Sequence, residues 1–232
     1  MKDRASTLSR RVLLLGMLSS TLTACSTLSP AGITSITPST ARRPMGLPSE
    51  EELATRYAGL EDGGYTLPAV PYQQIDPKFY RQRVMNMTGE PAGTVVVDTG
   101  SKFLYVVEPS GTAMRYGVGL GRAGFAWEGE GVVHWRQKWP HWKPPAEMIA
   151  RQPELAKFSV ENGGQPPGPN NALGARALYI FQNGEDTLYR LHGTREWSSI
   201  GKSVSSGCVR LINQDVIDLY TRVPSKARIV VR

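Results

Sequence analysis

The chain has 232 residues, room for one or two compact domains with a sizeable core and too little for a large modular assembly. Its 20% charged and 40% hydrophobic residues exclude a wholly disordered chain, its 24 Gly and 17 Pro favour turns over long helices, and its two cysteines exclude a dense disulfide scaffold or a four-cysteine zinc site. The formal charge of +7 is uneven, because Lys2, Arg4, Arg10 and Arg11 against Asp3 put +3 into residues 1–24 and leave +4 scattered over the rest. That scatter lacks the stripe of cations and aromatics that tracks a phosphate backbone, so no nucleic-acid partner is expected.

The one long apolar run lies near the N-terminus and is too short to span a bilayer as a helix. Arg10 and Arg11 precede Val12 to Leu15, and the run fades through Ser19 to Thr23, which reads as a secretory signal over residues 1–24. It ends in Leu22, Thr23, Ala24, Cys25, a stretch that resembles the lipobox of bacterial lipoproteins. That resemblance implies lipidation of Cys25 and a membrane partner reached through the lipid anchor, since more than one acyl chain gives durable anchorage. Ser26 after the cysteine favours the outer membrane over the inner one if the sorting rule of enteric bacteria applies, and the expected location is periplasmic. Ser9, Arg10 and Arg11 also hint at twin-arginine export, and the sequence does not choose between the two routes.

With Cys25 lipidated, Cys208 is a thiol without a disulfide partner in an oxidising compartment. From Ser26 to Glu50, 15 of 25 residues are Ser, Thr, Pro or Gly, and residues 25–70 are expected to form a flexible tether with one short helix. Ser49 and Glu52 form a capping-box pattern, with Leu53, Tyr57 and Leu60 on one side of a peripheral helix that ends at Gly63 and Gly64.

From about residue 92 to the end the pattern predicts one mostly-β domain with a few short helices, 92–232. Val95 to Val97, Phe103 to Val107 and Met114 to Leu120 predict three consecutive antiparallel strands, and Ala177–Gln182, Thr187–His192 and Arg228–Val231 predict three more. Asn213 is placed to cap a helix carrying Val216, Leu219 and Tyr220 that stops before Pro224. Residues 125–145 hold Trp127, Trp135, Trp139 and Trp142 with three prolines, and are expected not to form a regular strand. They read equally as an aromatic flap over a groove or as a loop packed on the sheet. His134 and His141 have too few nearby ligands for a metal site, and neither metal nor cofactor is expected.

The chemistry-bearing run is Tyr189 to Asp215, which contains His192 and Cys208. A thiol with an ordinary pKa of about 8.5 is mostly protonated at neutral pH, so a nucleophilic cysteine needs a base or a cation beside it. His192 ends a predicted strand, Cys208 begins another, and the residues between them can loop out to bring the two together. Gly207 permits close approach of a carbonyl, and the amides around Gly207 and Cys208 are suited to a developing oxyanion.

The pattern H-G-T, S-I-G, S-S-G-C-V-R-L-x-N-x-D-V, with Pro167 to Tyr179 upstream, resembles the signature of the YkuD family of L,D-transpeptidases over roughly residues 92–232. The resemblance implies a β-sandwich-like catalytic domain, with Cys208 as nucleophile and His192 as its base. Gly193 would orient the imidazole through its carbonyl, Ser205, Ser206 and Gly207 would shape the cysteine turn and substrate site, and Arg210 would border the donor groove. Ala172 stands where proline is frequent, and Ser206 where many members carry a histidine, which removes a second possible base, so a two-histidine mechanism is not expected.

The implied substrate is a peptidoglycan stem peptide. The position-3 carbonyl passes to the thiol with release of D-alanine, then to an amine of another stem or of an envelope protein, or to water in an L,D-carboxypeptidase. A non-catalytic wall-binding lipoprotein is the alternative from another class. A cysteine peptidase of the NlpC/P60 kind is disfavoured because there Cys precedes His.

Overall fold

The computed structural model describes residues 46–121, 128–205 and 207–232. The signal segment, Cys25, Trp127 and Ser206 lie outside the described residues. Helix α1 (Glu50–Arg56) is followed by a hairpin of β1 (Leu60–Asp62) and β2 (Tyr65–Leu67), two single 3-10 turns, and β3 (Gln82–Met85). Next come β4 (Val95–Asp98), β5 (Phe103–Val107), β6 (Thr112–Gly117), β7 (Leu120–Gly121) and β8 (Gly129–Lys138). After α2 (Ala146–Arg151) the chain continues through β9 (Arg176–Gln182), β10 (Glu185–Thr194), β11 (Ser203–Ser205) and β12 (Val209–Ile212). It closes with α3 (Asn213–Arg222) and β13 (Ala227–Val231).

Nine of these strands form one mixed sheet in the order β12-β10-β9-β8-β13-β4-β5-β6-β3. The expected antiparallel run β4-β5-β6 is present, with Val96 opposite Tyr105 and Tyr105 opposite Arg115. Two pairs are parallel, β10 with β12 and β13 with β4. Gly119, just past β6, exchanges both backbone hydrogen bonds with Arg210 on the far edge strand, at 2.9 and 2.8 Å, so the sheet curls back on itself. Inside the curl lie Val95, Leu104, Tyr116, Ile180, Leu191, Leu211 and Ile229, with Val216 and Leu219 of α3 packed against them. Burial of side chains this large contributes about 1.5–3 kcal/mol each before entropy is counted. The fold is thus mostly β with a few short helices, and among the described residues no helix is long and apolar enough to cross a membrane.

Three expectations are corrected. Residues 129–138 of the 125–145 segment form a strand in the middle of the sheet, interrupted by a register slip between Val133 and Trp135. The strand is stable because cross-strand aromatic stacking covers its outer face: His134 lies 4.4 Å from Phe181 and Trp135 4.4 Å from Tyr179. Asn213 does not cap α3. It is the first helical residue, and its Oδ1 instead accepts the Ala175 amide at 2.9 Å, tying α3 to the start of β9.

Helix α1 has the expected capping box of Ser49 and Glu52 but stops at Arg56, leaving Leu60 to β1, and it is not peripheral. Leu53 and Tyr57 are buried with Tyr72, Ile75, Tyr80, Ile200 and Ile212 in a second cluster. The Tyr57 hydroxyl donates to Asp215 Oδ2 at 3.3 Å and accepts the Arg81 amide at 3.0 Å. Gln214 Nε2 donates to the carbonyls of Ala58 and Pro68 at 3.1 and 3.0 Å. The first turn of α3 therefore holds the whole arm from residue 50 to 81. Trp139 is also structural. It sits beside Tyr65, with ring centroids 4.3 Å apart, and donates to Asp62 at 2.8 Å.

Candidate active site

Strand alternation assembles the site. In the parallel pair β10 and β12, Leu191 is level with Val209 and His192 with Arg210. Leu191, Val209 and Leu211 are fully buried in the core, so their alternates Arg190, His192, Cys208 and Arg210 point to the opposite face. All four line one cleft of about 1180 Å³, with Trp135, Tyr179, Trp142 and Leu188 around them. A cleft of that size accommodates a short peptide. The expected loop-out of residues 193–207 is the connection between these two neighbouring strands.

His192 is only 5% exposed. Its Nδ1 lies 2.8 Å from the Gly193 carbonyl oxygen. A carbonyl only accepts, so Nδ1 carries the proton and Nε2 keeps its lone pair. Burial pushes the ring down to about 4, against the opposing effect of the Gly193 bond and reinforced by the positive charges of Arg210 and Arg190. At neutral pH the imidazole is an uncharged acceptor.

Gly193 has no room for a side chain, because a Cβ there would lie 2.3 Å from Asn213 Oδ1 and 3.0 Å from Val216 Cγ1. The same asparagine that ties α3 to β9 therefore abuts the glycine whose carbonyl accepts from the imidazole.

Cys208 is half-buried. Burial pushes it up, outweighing the Arg190 amide that hydrogen-bonds the sulfur and the positive charges of Arg190 and Arg210. Two arginines lie close by, yet the resting group is a thiol rather than a thiolate. For such a thiol to act as a nucleophile, its proton would have to pass to a base.

Gly207 has a φ of 134°, in the region that favours glycine. A Cβ on Gly121 would lie 2.5 Å from the Gly207 backbone, so β7 packs directly under the cysteine turn. Ser205 is paired through its backbone with Gly121 in the β7–β11 ladder, and Arg210 donates to Glu196 at 2.8 Å.

Several lining residues escape sequence reasoning. Arg190 is two positions before His192 and was recoverable from alternation alone. Tyr179 was not, because Arg190 reaches over its ring, 4.4 Å from the centroid, across two strands. Trp135 is 51% exposed on Tyr179 and Trp142 pairs its backbone with Gln165. The tryptophan segment thus divides between sheet, core and cleft rather than acting as one flap. Among the described residues no three His, Cys, Asp or Glu side chains group as metal ligands.

Residues 92–231 match YkuD, the L,D-transpeptidase catalytic domain. The probable L,D-transpeptidase YbiS of Escherichia coli is 32% identical over 176 residues, 73% of this chain and 50% of that protein. The probable L,D-transpeptidase ErfK/SrfK of Escherichia coli is 34% identical over 142 residues, 58% of this chain and 42% of that protein. The chain thus spans about half the length of the curated relatives it matches. A solved structure from Brucella melitensis, described as a probable carnitine operon oxidoreductase, is 45% identical over 66% of this chain and 94% of that one, with a TM-score of 0.47.

Proposed function

Because the chain belongs to the YkuD family of L,D-transpeptidase catalytic domains, we propose that it is a peptidoglycan acyltransferase with Cys208 as nucleophile and His192 as base. The observation that carries this reading is the bond from His192 Nδ1 to the Gly193 carbonyl, in a cleft shared with the Cys208 sulfur. That bond fixes the tautomer whose free lone pair is at Nε2.

In the first half-reaction the sulfur attacks the position-3 carbonyl of a tetrapeptide stem while the thiol proton passes to Nε2. A carbon–sulfur bond forms, and the oxyanion meets the amides around Gly207 and Cys208. The carbon–nitrogen bond then breaks, the leaving amine takes the proton from Nε2, and D-alanine departs. In the second half-reaction an acceptor amine attacks the thioester, gives its proton to Nε2 and ends in a new amide, while the sulfur regains its proton. Arg190 and Arg210 border this path as fixed positive charges, suited to the carboxylates of a stem peptide.

The lipobox-like Leu22 to Cys25 supports a periplasmic protein held to a membrane by lipid, with the Ser/Thr/Pro-rich stretch after it as a tether. An outer-membrane location and an envelope protein as acceptor belong to the same proposal. The test is incubation of the purified protein with a disaccharide-tetrapeptide, read by mass spectrometry. Loss of one D-alanine with a crosslinked product, absent in Cys208→Ala, is the expected result. D-alanine loss with water alone as acceptor assigns the carboxypeptidase reaction instead, and an unchanged substrate overturns the reading.

A further inference from the structure

The cleft wall beside the sulfur is irregular in a way the reaction above does not use. Between Asp186, opposite Phe181, and Arg190, opposite Tyr179, strand β10 slips its register against β9, so extra residues bulge out on the β10 side. At the tip of the bulge Leu188 has a φ of 62° and is 66% exposed. A leucine in the left-handed region is strained and persists only where its surroundings fix it. They do so here. Asp186 Oδ1 accepts the Leu188 amide at 2.9 Å, and both Asp186 oxygens clamp the Arg190 guanidinium at 2.7 Å. Thr187 Oγ1 donates to the Ile180 carbonyl at 2.7 Å and accepts the Tyr189 amide at 3.2 Å.

The result is aimed at Cys208. The sulfur donates to the Leu188 carbonyl at 3.8 Å, and the Arg190 amide hydrogen-bonds the same sulfur. A regular strand would supply these groups at a different spacing, since the bulge separates the carbonyl of 188 from its ladder. We propose that the Asp186–Arg190 bulge is a positioning device for the nucleophile: the Leu188 carbonyl holds the thiol and the Arg190 amide receives the thiolate, with Asp186 locking both in place. This rests on Cys208 being the nucleophile of the reaction proposed above.

The charges that act on the sulfur are Asp186 and Arg190 from β10 and Arg210 from β12, the last paired with Glu196, while His192 and Tyr189 of β10 and Tyr179 of β9 line the same cleft. Their signs make the inference testable. Replacing Asp186 by alanine removes a negative charge and frees the Arg190 guanidinium, and both changes favour the thiolate by electrostatics alone. Loss of the bulge works the other way, because the sulfur loses its amide partner.

The experiment is alkylation of Cys208 by iodoacetamide from pH 6 to 10, followed by intact mass, with thermal melts run alongside. In this step a carbon–sulfur bond forms, iodide leaves and the thiol proton goes to solvent. Asp186→Ala is expected to move the midpoint to higher pH and slow alkylation about tenfold below it, one unit of pKa being a tenfold change in thiolate. Asp186→Asn, which keeps an acceptor for the Leu188 amide, should recover most of the rate. Leu188→Val, a β-branched residue in the left-handed region and exposed at the surface, is a second variant that should slow alkylation without opening the core. A midpoint that stays or moves down in Asp186→Ala, or an Asp186→Asn protein as slow as the alanine variant, overturns the proposal. Alkylation needs no stem peptide, so the two failures are distinguishable: a wild-type protein inert on tetrapeptide overturns the transpeptidase reading, whereas absence of these shifts in a protein that turns tetrapeptide over overturns the bulge alone.

Discussion

Burial of His192 ties stability to pH with a calculable size. The ring titrates at about 4 in the fold against 6.5 for a free imidazole. Between those values the unfolded chain binds a proton that the folded chain does not, so stability falls as pH falls. The contribution is fully present above pH 6.5 and is lost as pH drops towards 4. At about 1.4 kcal/mol per pH unit the loss sums to about 3 kcal/mol, and with the ring 5% exposed it needs little reduction for screening by solvent.

Asp215 works with the opposite sign. It is fully buried and pushed up to about 6 by burial, against the pull of Arg81. Its contribution is present below the ordinary carboxylate value and is lost as pH rises through 6. In the wild type the two slopes oppose each other between pH 4 and 6. His192→Gln removes one of them. Urea unfolding followed by circular dichroism at pH 7.5 and 4.5 should show the variant gaining about 2–3 kcal/mol on the wild type as the pH falls. Parallel pH dependence in the two proteins would refute the claim that the fold holds this imidazole uncharged.

Three further outcomes follow from the geometry. A carbapenem, whose strained carbonyl resembles the donor's, should add its mass once to the wild type and not to Cys208→Ala; a folded wild-type protein without the adduct counts against the nucleophile assignment. Gly193→Ala drives a methyl against Asn213 and Val216, which should cost about 1–3 kcal/mol by overpacking and slow turnover further by tilting the carbonyl that holds His192. An alanine variant with wild-type kcat removes that role. Asp62→Ala leaves Arg176, 4% exposed and bonded to both Asp62 oxygens at 2.7 Å, as a buried unpaired cation. About 3–5 kcal/mol should be lost in chemical denaturation, and a loss below about 1 kcal/mol means that the β1–β2 hairpin does not brace the sheet.

What the sequence disclosed and withheld has physical reasons. Strands β4 to β6 were legible because valine-rich segments separated by turn residues carry their own signal, and the capping box of α1 is likewise local. That His192 and Cys208 share one cleft was legible because each stands beside a glycine at the end of a strand-like run. Strand β8 was not, since its outer face is covered by aromatic rings from β9 rather than by its own alternation. The burial of Tyr57 depends on Asp215, 158 positions away, and nothing near either residue announces the other. The bulge at Leu188 lacks the glycine or asparagine that normally marks a left-handed position, because Asp186 stabilises it from the side chain.

The first turn of α3 has two neighbours at once. Gln214 and Asp215 grip the arm through Ala58, Pro68 and Tyr57, while Asn213 abuts the glycine beside His192. If the chain is strung between a lipid and the wall, tension enters at the start of the arm and its load path runs into this turn. Anchorage and chemistry then share a single mechanical support, one residue from the end of the strand that begins beside the thiol.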